Sequence, residues 1–167
     1  SVNMILADLP YQQTQNSWDS QIDLNKLWMQ YRRIIKDNGS IILFGKKKFT
    51  ADLILSNSDW YRYSFVWIKS RPSGFLNASK MPLESHEDIV VFYKNLPTYN
   101  PQFHEGKPLH GMGHKFKKGD LRNNNYGDFN SHTNPSAKRT GDIKKYPRTD
   151  LFFKKPHPPI HPTQKPV

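Results

Sequence analysis

Apolar residues along the chain fall into short runs whose spacing alternates between that of strands and that of helices. Met4, Ile5 and Leu6 form a continuous run within Val2 to Ala7, the pattern of a buried strand. The run stops at Asp8-Leu9-Pro10-Tyr11, where Pro10 has no N–H to extend a ladder. After the polar stretch Gln12 to Ser20, the residues Leu24, Leu27, Trp28, Tyr31, Ile34 and Ile35 recur at helical spacing. Asp23 stands where an N-cap belongs and Gly39 stands just past the expected end, so an amphipathic helix is predicted between them. Ser40-Ile41-Ile42-Leu43-Phe44 then reads as a fully buried strand closed by Gly45. Strand, helix and strand in this order make a βαβ unit with a parallel sheet. Phe49 to Ser58 predicts a second helix with Leu53 and Ile54 inward. Tyr61 to Lys69 and Asp88 to Lys94 are aromatic and β-branched enough for strands, joined by a loop with Arg71, Gly74 and Pro82, which predicts an antiparallel pair at one sheet edge. The chain opens on Ser1 inside an element and closes on Gln164-Lys165-Pro166-Val167 leading toward another, which reads as a fragment at both ends.

Composition changes the picture from about Leu96 onward. Between Thr98 and Pro156 there are twelve Lys or Arg against five Asp or Glu, with six glycines, the run Asn123-Asn124-Asn125 and no sustained period. This is the signature of a loop-rich basic insertion. The predicted organisation is a main domain over 1–97, an insertion over 98–156 and a return to the main domain over 157–167. The whole chain, 167 residues long, carries a net charge of +11 with a pI near 9.8, which points to a polyanionic partner. Cysteine is absent, which excludes disulfides and Cys-based zinc sites. No apolar run approaches the ~20 residues of a membrane-spanning helix, and a soluble, cytoplasmic protein is expected.

The chemistry concentrates at the end of the first strand. An exocyclic amine on adenine or cytosine is a poor nucleophile, because its lone pair is delocalised into the ring. An acceptor on each N–H favours the pyramidal amine, and an aromatic face holds the base. Asp8, the carbonyl of Leu9 and the ring of Tyr11 supply these functions within four residues, while Pro10 stiffens the turn and adds no competing donor. The competing structural reading is a strand-end Asp in an Asx-turn before a chain-breaking proline.

Context beyond these four residues resolves the choice. The chain resembles the β-group DNA amino-methyltransferases, a circularly permuted branch of the Rossmann-like methyltransferases. Asp8-Leu9-Pro10-Tyr11 is similar to that family's (D/N/S)PPY motif, with Leu9 in place of the first proline. Leu27 to Lys36 followed by Gly39 to Gly45, Gly74-Phe75-Leu76-Asn77-Ala78, Ser85-His86-Glu87 and His161-Pro162-Thr163-Gln164-Lys165-Pro166 resemble its later blocks. The resemblance implies an α/β fold with a partial Rossmann-like methyltransferase sheet, an antiparallel edge hairpin and a loop-rich insertion. It implies transfer of methyl from S-adenosylmethionine to adenine N6 in double-stranded DNA, with Asp8, Leu9, Pro10 and Tyr11 catalytic. Asp8, Pro10, His161, Thr163 and Lys165 would lie beside the cofactor, and the insertion would be the target-recognition region. A homodimer and a restriction endonuclease partner are expectations of the same kind, as is a prokaryotic or phage setting.

Two alternatives stand beside this reading: a DNA-binding remnant without catalysis, and methylation of cytosine N4. The glycine-rich F-x-G-x-G-like loop through which family members bind the cofactor is missing, and the family order would put it just after Pro166. The chain as it stands is therefore expected to bind the cofactor weakly. Gly111-Met112-Gly113 follows no strand and reads as flexible loop, and His157 with His161 lack the carboxylate or Cys partners of a metal site. Ser85, His86 and Glu87 are adjacent on a strand, poor geometry for a triad, so packing is expected of them. Lys46-Lys47-Lys48 reads as a phosphate contact or a solvated run. In the insertion, Lys115, Lys117, Lys118, Arg122, Lys138, Arg139, Lys144, Lys145 and Arg148 are the candidates to follow a DNA backbone.

Overall fold

The computed structural model describes residues 1–11, 20, 22–108, 143–154, 158 and 165. These divide into two units, residues 1–99 with 148–167, and residues 100–147. In the first unit, five strands form a mixed sheet: β1 (Val2–Ala7), β2 (Ile35–Gly45), β3 (Tyr61–Ser73), β4 (Glu84–Phe92) and β7 (Asp150–Phe153), in the spatial order β1-β2-β4-β3-β7. β1 pairs in parallel with β2, and β3 with β7, while β4 runs antiparallel to both its neighbours. Four strands therefore end at one rim of the sheet, where β4 begins.

Helix α1 (Leu24–Ile34) links β1 to β2 as the periodicity predicts, and α2 (Lys48–Ser56) follows β2. The Asp23 carboxylate accepts from the Lys26 backbone N–H at 3.1 Å, satisfying one orphan donor of the first turn. Both helices lie on one face of the sheet. Ile41, Leu43, Val90 and Phe92 form the centre of that face and are fully buried with Leu53, beneath Trp28 of α1. Each such side chain contributes about 1.5–3 kcal/mol by leaving water. The Trp28 indole N–H is not stranded there: it donates to the Ser56 hydroxyl at 2.8 Å, which in turn donates to the Leu53 carbonyl at 2.7 Å, tying α1 to α2.

Several expectations need correction. The first strand was expected to be buried, yet Val2, Met4 and Leu6 are exposed, because the two helices cover only the face to which Ile5 and Ala7 point. The second strand is not buried on both sides either: its positions alternate between buried and half-buried for the same reason. Gly39 does not cap α1. The helix ends at Ile34, Ile35 is already extended, and residues 36–39 form an irregularity between the pairs Val2↔Ile35 and Met4↔Ser40. A Cβ on Gly39 would stand 2.9 Å from the Asn3 carbonyl oxygen and 2.7 Å from the Ile35 side chain, so the glycine serves close approach of β2 to β1. The antiparallel pair β3–β4 is not at an edge: β4 lies inside the sheet and β7 covers β3, the Trp67 indole N–H donating to the Phe153 carbonyl at 3.3 Å.

In the second unit, β5 (His104–Glu105) pairs antiparallel with β6 (Lys144–Lys145). The rings of Phe103 and Tyr146 stack beside this ribbon with centroids 4.8 Å apart.

Replacing Gly39 with Ala forces the β1 backbone to move, so urea unfolding is expected to show a loss of about 1–3 kcal/mol, the usual cost of an overpacked site. An unchanged midpoint would mean that the strands have room the geometry does not show.

Candidate active site

Asp8 is the first residue beyond β1, at the rim where the parallel strands end, the place where open α/β sheets carry their ligands. The next side chain, Leu9, turns inward and is buried with Trp28 and Ile41 in the core, so this residue pins the strand-end loop. Asp8 and Tyr11 then face each other: the Tyr11 hydroxyl donates to Asp8 Oδ1 at 2.6 Å. The Tyr11 ring is tilted against Phe49 of α2 with centroids 5.2 Å apart.

Lys165, 154 positions later, joins this pair. Its Nζ lies 3.6 Å from Asp8 Oδ1 and 3.4 Å from the Tyr11 hydroxyl, and it forms a close ion pair with Glu87. The rings of Tyr11, Phe44 and Trp67 surround the ammonium, with centroids 5.3, 5.0 and 5.6 Å away. Phe44 and Trp67 come from β2 and β3, and Glu87 is the direct partner of Trp67 across the β3–β4 ladder. A second cation, Lys69 Nζ, lies 3.3 Å from Glu87 Oε1 and 3.1 Å from the Ser73 hydroxyl. Burial pushes the Lys69 ammonium below the usual lysine range, the nearby positive charge of Lys46 adds to this, and the Glu87 carboxylate opposes both.

A neighbouring cluster closes the same rim. Glu84, at the start of β4, pairs with both Lys46 and Lys47, the residues that follow β2. The two ammonium groups, as hydrogen-bond donors and as charges, hold the Glu84 carboxyl down at about 2. Lys47 adopts a left-handed backbone, with φ of 52°, to start α2 there. Of the lysine run, two members are thus spent on Glu84, and Lys48 lies 3.5 Å from Asp52 on the exposed side of α2. On the core side, the Thr50 hydroxyl donates to Asp88 at 2.7 Å, and a Cβ on Gly45 would meet that hydroxyl at 2.8 Å.

The structure brings Asp8, Leu9, Pro10, Tyr11 and Lys165 into one locality. His161 and Thr163 lie outside the described residues, as do Lys115, Lys117, Lys118, Arg122, Lys138 and Arg139 of the basic stretch. Of its other members, Lys144 and Lys145 form β6, and the exposed Arg148 pairs with Asp150 at 2.8 Å. Residues 150–153, within the stretch read as insertion, are a strand of the main sheet. Sequence reasoning named Glu87 only within a family-like block and expected it to pack, and it did not single out Lys69, whereas the structure puts the two in one ion-pair cluster with Lys165. The signal was present in the charges that flank Trp67 and His86, but it becomes meaningful only once the β3–β4 register places them side by side. Among the described residues no cluster of His, Asp and Glu has the arrangement of a metal site, and no helix is long and apolar enough to cross a membrane.

With this geometry in place, comparison with known proteins defines the class. The family model described as DNA methylase, covering N6 and N4 methyltransferases, matches residues 2–167, and the chain belongs to this family. No curated protein matches. Among solved structures, the crystal structure of the M1.HpyAVI–SAM complex is 17% identical with a TM-score of 0.41, covering 69% of this chain and 53% of that one. The crystal structure of M1.HpyAVI is 16% identical with a TM-score of 0.44, covering 64% and 51%. The chain spans about half the length of the solved structures it matches.

The Glu84 pairing makes stability depend on acid. A carboxyl lowered from 4.5 to about 2 contributes stability that is fully present above pH 4.5 and is lost as pH falls toward 2. Glu84→Gln removes that contribution, so urea midpoints of the variant are expected to fall less steeply over this window than those of the parent. Identical slopes would show that the ion pairs add nothing to folding.

Proposed function

We propose that the chain is the base-holding and target-recognition portion of an S-adenosylmethionine-dependent DNA methyltransferase acting on adenine N6. One observation carries the reading: in a member of the DNA methylase family, the Asp8 carboxylate stands at the tip of β1 against the Tyr11 hydroxyl, above a core-anchored Leu9. Asp8 accepts one N–H of the target amine, and the Leu9 carbonyl accepts the other. With both protons engaged, the nitrogen lone pair is released from the ring and becomes nucleophilic. The new N–C bond would form as the donor's S–C bond breaks; positive charge would grow on the amine nitrogen, where the Asp8 carboxylate offsets it until the surplus proton leaves to solvent. Pro10 limits the backbone freedom of the loop, and burial of the Leu9 side chain limits it further, so the two acceptors keep their spacing. The Tyr11 face receives the base, which must leave the duplex to reach this rim. The acidic first residue of the motif favours adenine N6 over cytosine N4.

The exposed Asp8 carboxylate is the group of this rim that suits a positively charged cofactor, since Glu87 is already engaged by Lys165 and Lys69. S-adenosylmethionine, when bound, supplies a methyl group activated by its sulfonium. Asp8, Pro10, His161, Thr163 and Lys165 are the residues of this chain proposed to lie beside it. The excess of Lys and Arg between 98 and 156 provides the phosphate contacts, which makes binding to duplex DNA weaken steeply with salt.

The test is methyl transfer from labelled S-adenosylmethionine to duplex DNA by a longer version of the protein that carries a glycine-rich cofactor loop, followed by nucleoside mass spectrometry. Asp8→Ala is expected to lower the rate by about 10²- to 10³-fold, the usual cost of deleting one preorganised polar group, while duplex affinity stays unchanged. N6-methyladenine is the expected product. Transfer that survives the substitution sinks the proposed mechanism, and N4-methylcytosine as product overturns the choice of base.

A further inference from the structure

We propose that Glu87 is a positioning residue of this site, acting through Lys165. Its carboxylate draws the Lys165 ammonium into the ring of aromatic faces and thereby leaves Asp8 available to the base. The inference rests on the reading of Asp8 and Tyr11 as the base-holding pair.

Lys165 has two carboxylates within reach, and the geometry shows which one holds it. It makes a close ion pair with Glu87, whereas its distance to Asp8 Oδ1 is 3.6 Å, beyond a good hydrogen bond. Asp8 Oδ1 is hydrogen-bonded to the Tyr11 hydroxyl instead. The Glu87 side chain is only 12% exposed, and its position is fixed by the β3–β4 ladder, where it faces Trp67. A lysine stem has many rotamers, so the ammonium is localised only if a rigid partner defines its place. Glu87 is that partner, and the faces of Tyr11, Phe44 and Trp67 favour the same position. Lys69 balances the second oxygen of Glu87, so that Asp8, Lys165, Glu87 and Lys69 form an alternating chain of two negative and two positive charges. Neutralising Glu87 breaks this alternation. Among the described residues, Asp8 is then the carboxylate that Lys165 pairs with, and the lysine competes with Tyr11 and with an incoming amine for the same oxygens.

The site can be followed without any catalytic readout, in the 167-residue chain grown with ε-13C-lysine and ring-labelled tyrosine. The Lys165 ε-CH2 signal, assigned by its disappearance in Lys165→Met, is expected upfield of the exposed lysines because ring faces surround it. Glu87→Gln should abolish that displacement and shift the Tyr11 ring signals. Lys69→Met and Glu84→Gln should leave the displacement in place, since neither removes the carboxylate that holds Lys165. If Glu87 acts through Lys165, the double variant Glu87→Gln/Lys165→Met moves Tyr11 no further than Lys165→Met alone. A Lys165 signal among the exposed lysines in the parent chain overturns the proposal without recourse to any variant. So does an unmoved signal in a folded Glu87→Gln protein, or additive effects of the two substitutions on Tyr11. Methyl transfer surviving Asp8→Ala would sink the base-holding reading and leave these signals untouched, so the two failures are distinguishable.

Discussion

Burial of Leu9 is the constraint on which the site depends. The strand that precedes it is exposed along one face and its ladder with β2 runs to Ala7, so the Leu9 side chain carries the anchoring past the strand end into the core. Inserting Leu9 among Trp28, Ile41 and their neighbours fixes the residue that lies between Asp8 and the Pro10-Tyr11 pair. Its neighbour Asp8 then lies at the sheet rim, and Tyr11, two positions on, packs its ring on Phe49 and its hydroxyl on Asp8. A proline at position 9, as in the motif that this segment resembles, would give rigidity through the backbone. Leu9 gives it through the core, and the backbone carbonyl that the proposed chemistry would use is common to both residues.

The sheet's topology supplies the rest of the rim. Because β4 is the one reversed strand of this sheet, its first residues lie beside the last residues of its neighbours β2 and β3. Glu84 and Glu87 are therefore delivered to the place where Lys46 and Lys69 emerge. Carboxylates and ammonium groups this poorly solvated are costly singly, and each is tolerated here because an opposite charge lies beside it. Lys69 shows the balance most clearly: burial lowers its pKa, and Glu87 restores part of what burial removes.

Much of this was legible in the sequence where the signal is local. Asp23 as N-cap, the periodicity of α1 and the parallel β1–β2 unit all depend on near neighbours. The misreadings share a cause in pairing and packing beyond the reach of local patterns. Gly39 looks like a helix stop because a glycine after an amphipathic run usually is one, whereas its reason is the Asn3 carbonyl on another strand. Met4 and Leu6 look buried because apolar runs usually are, whereas the helices cover the opposite face. At the site, Asp8 and Tyr11 could be found from four residues. Glu87 could not, since what makes it more than a strand residue is Lys165, 78 positions away.

Charge parity at the rim adds a last step. Its carboxylates Asp8, Glu84 and Glu87 stand against four lysines, Lys46, Lys47, Lys69 and Lys165. Each carboxylate therefore has a cation within reach, and one positive charge is left over. Among the described residues, each of these three carboxylates facing an approaching polyanion is compensated, although the proposed chemistry requires a carboxylate there. Asp8 is the most exposed of the three, with 37% of its side-chain surface open against 20% for Glu84 and 12% for Glu87. The two deeper carboxylates engage all four lysines, Glu84 with Lys46 and Lys47 and Glu87 with Lys69 and Lys165, which is what allows the outermost one to face a ligand.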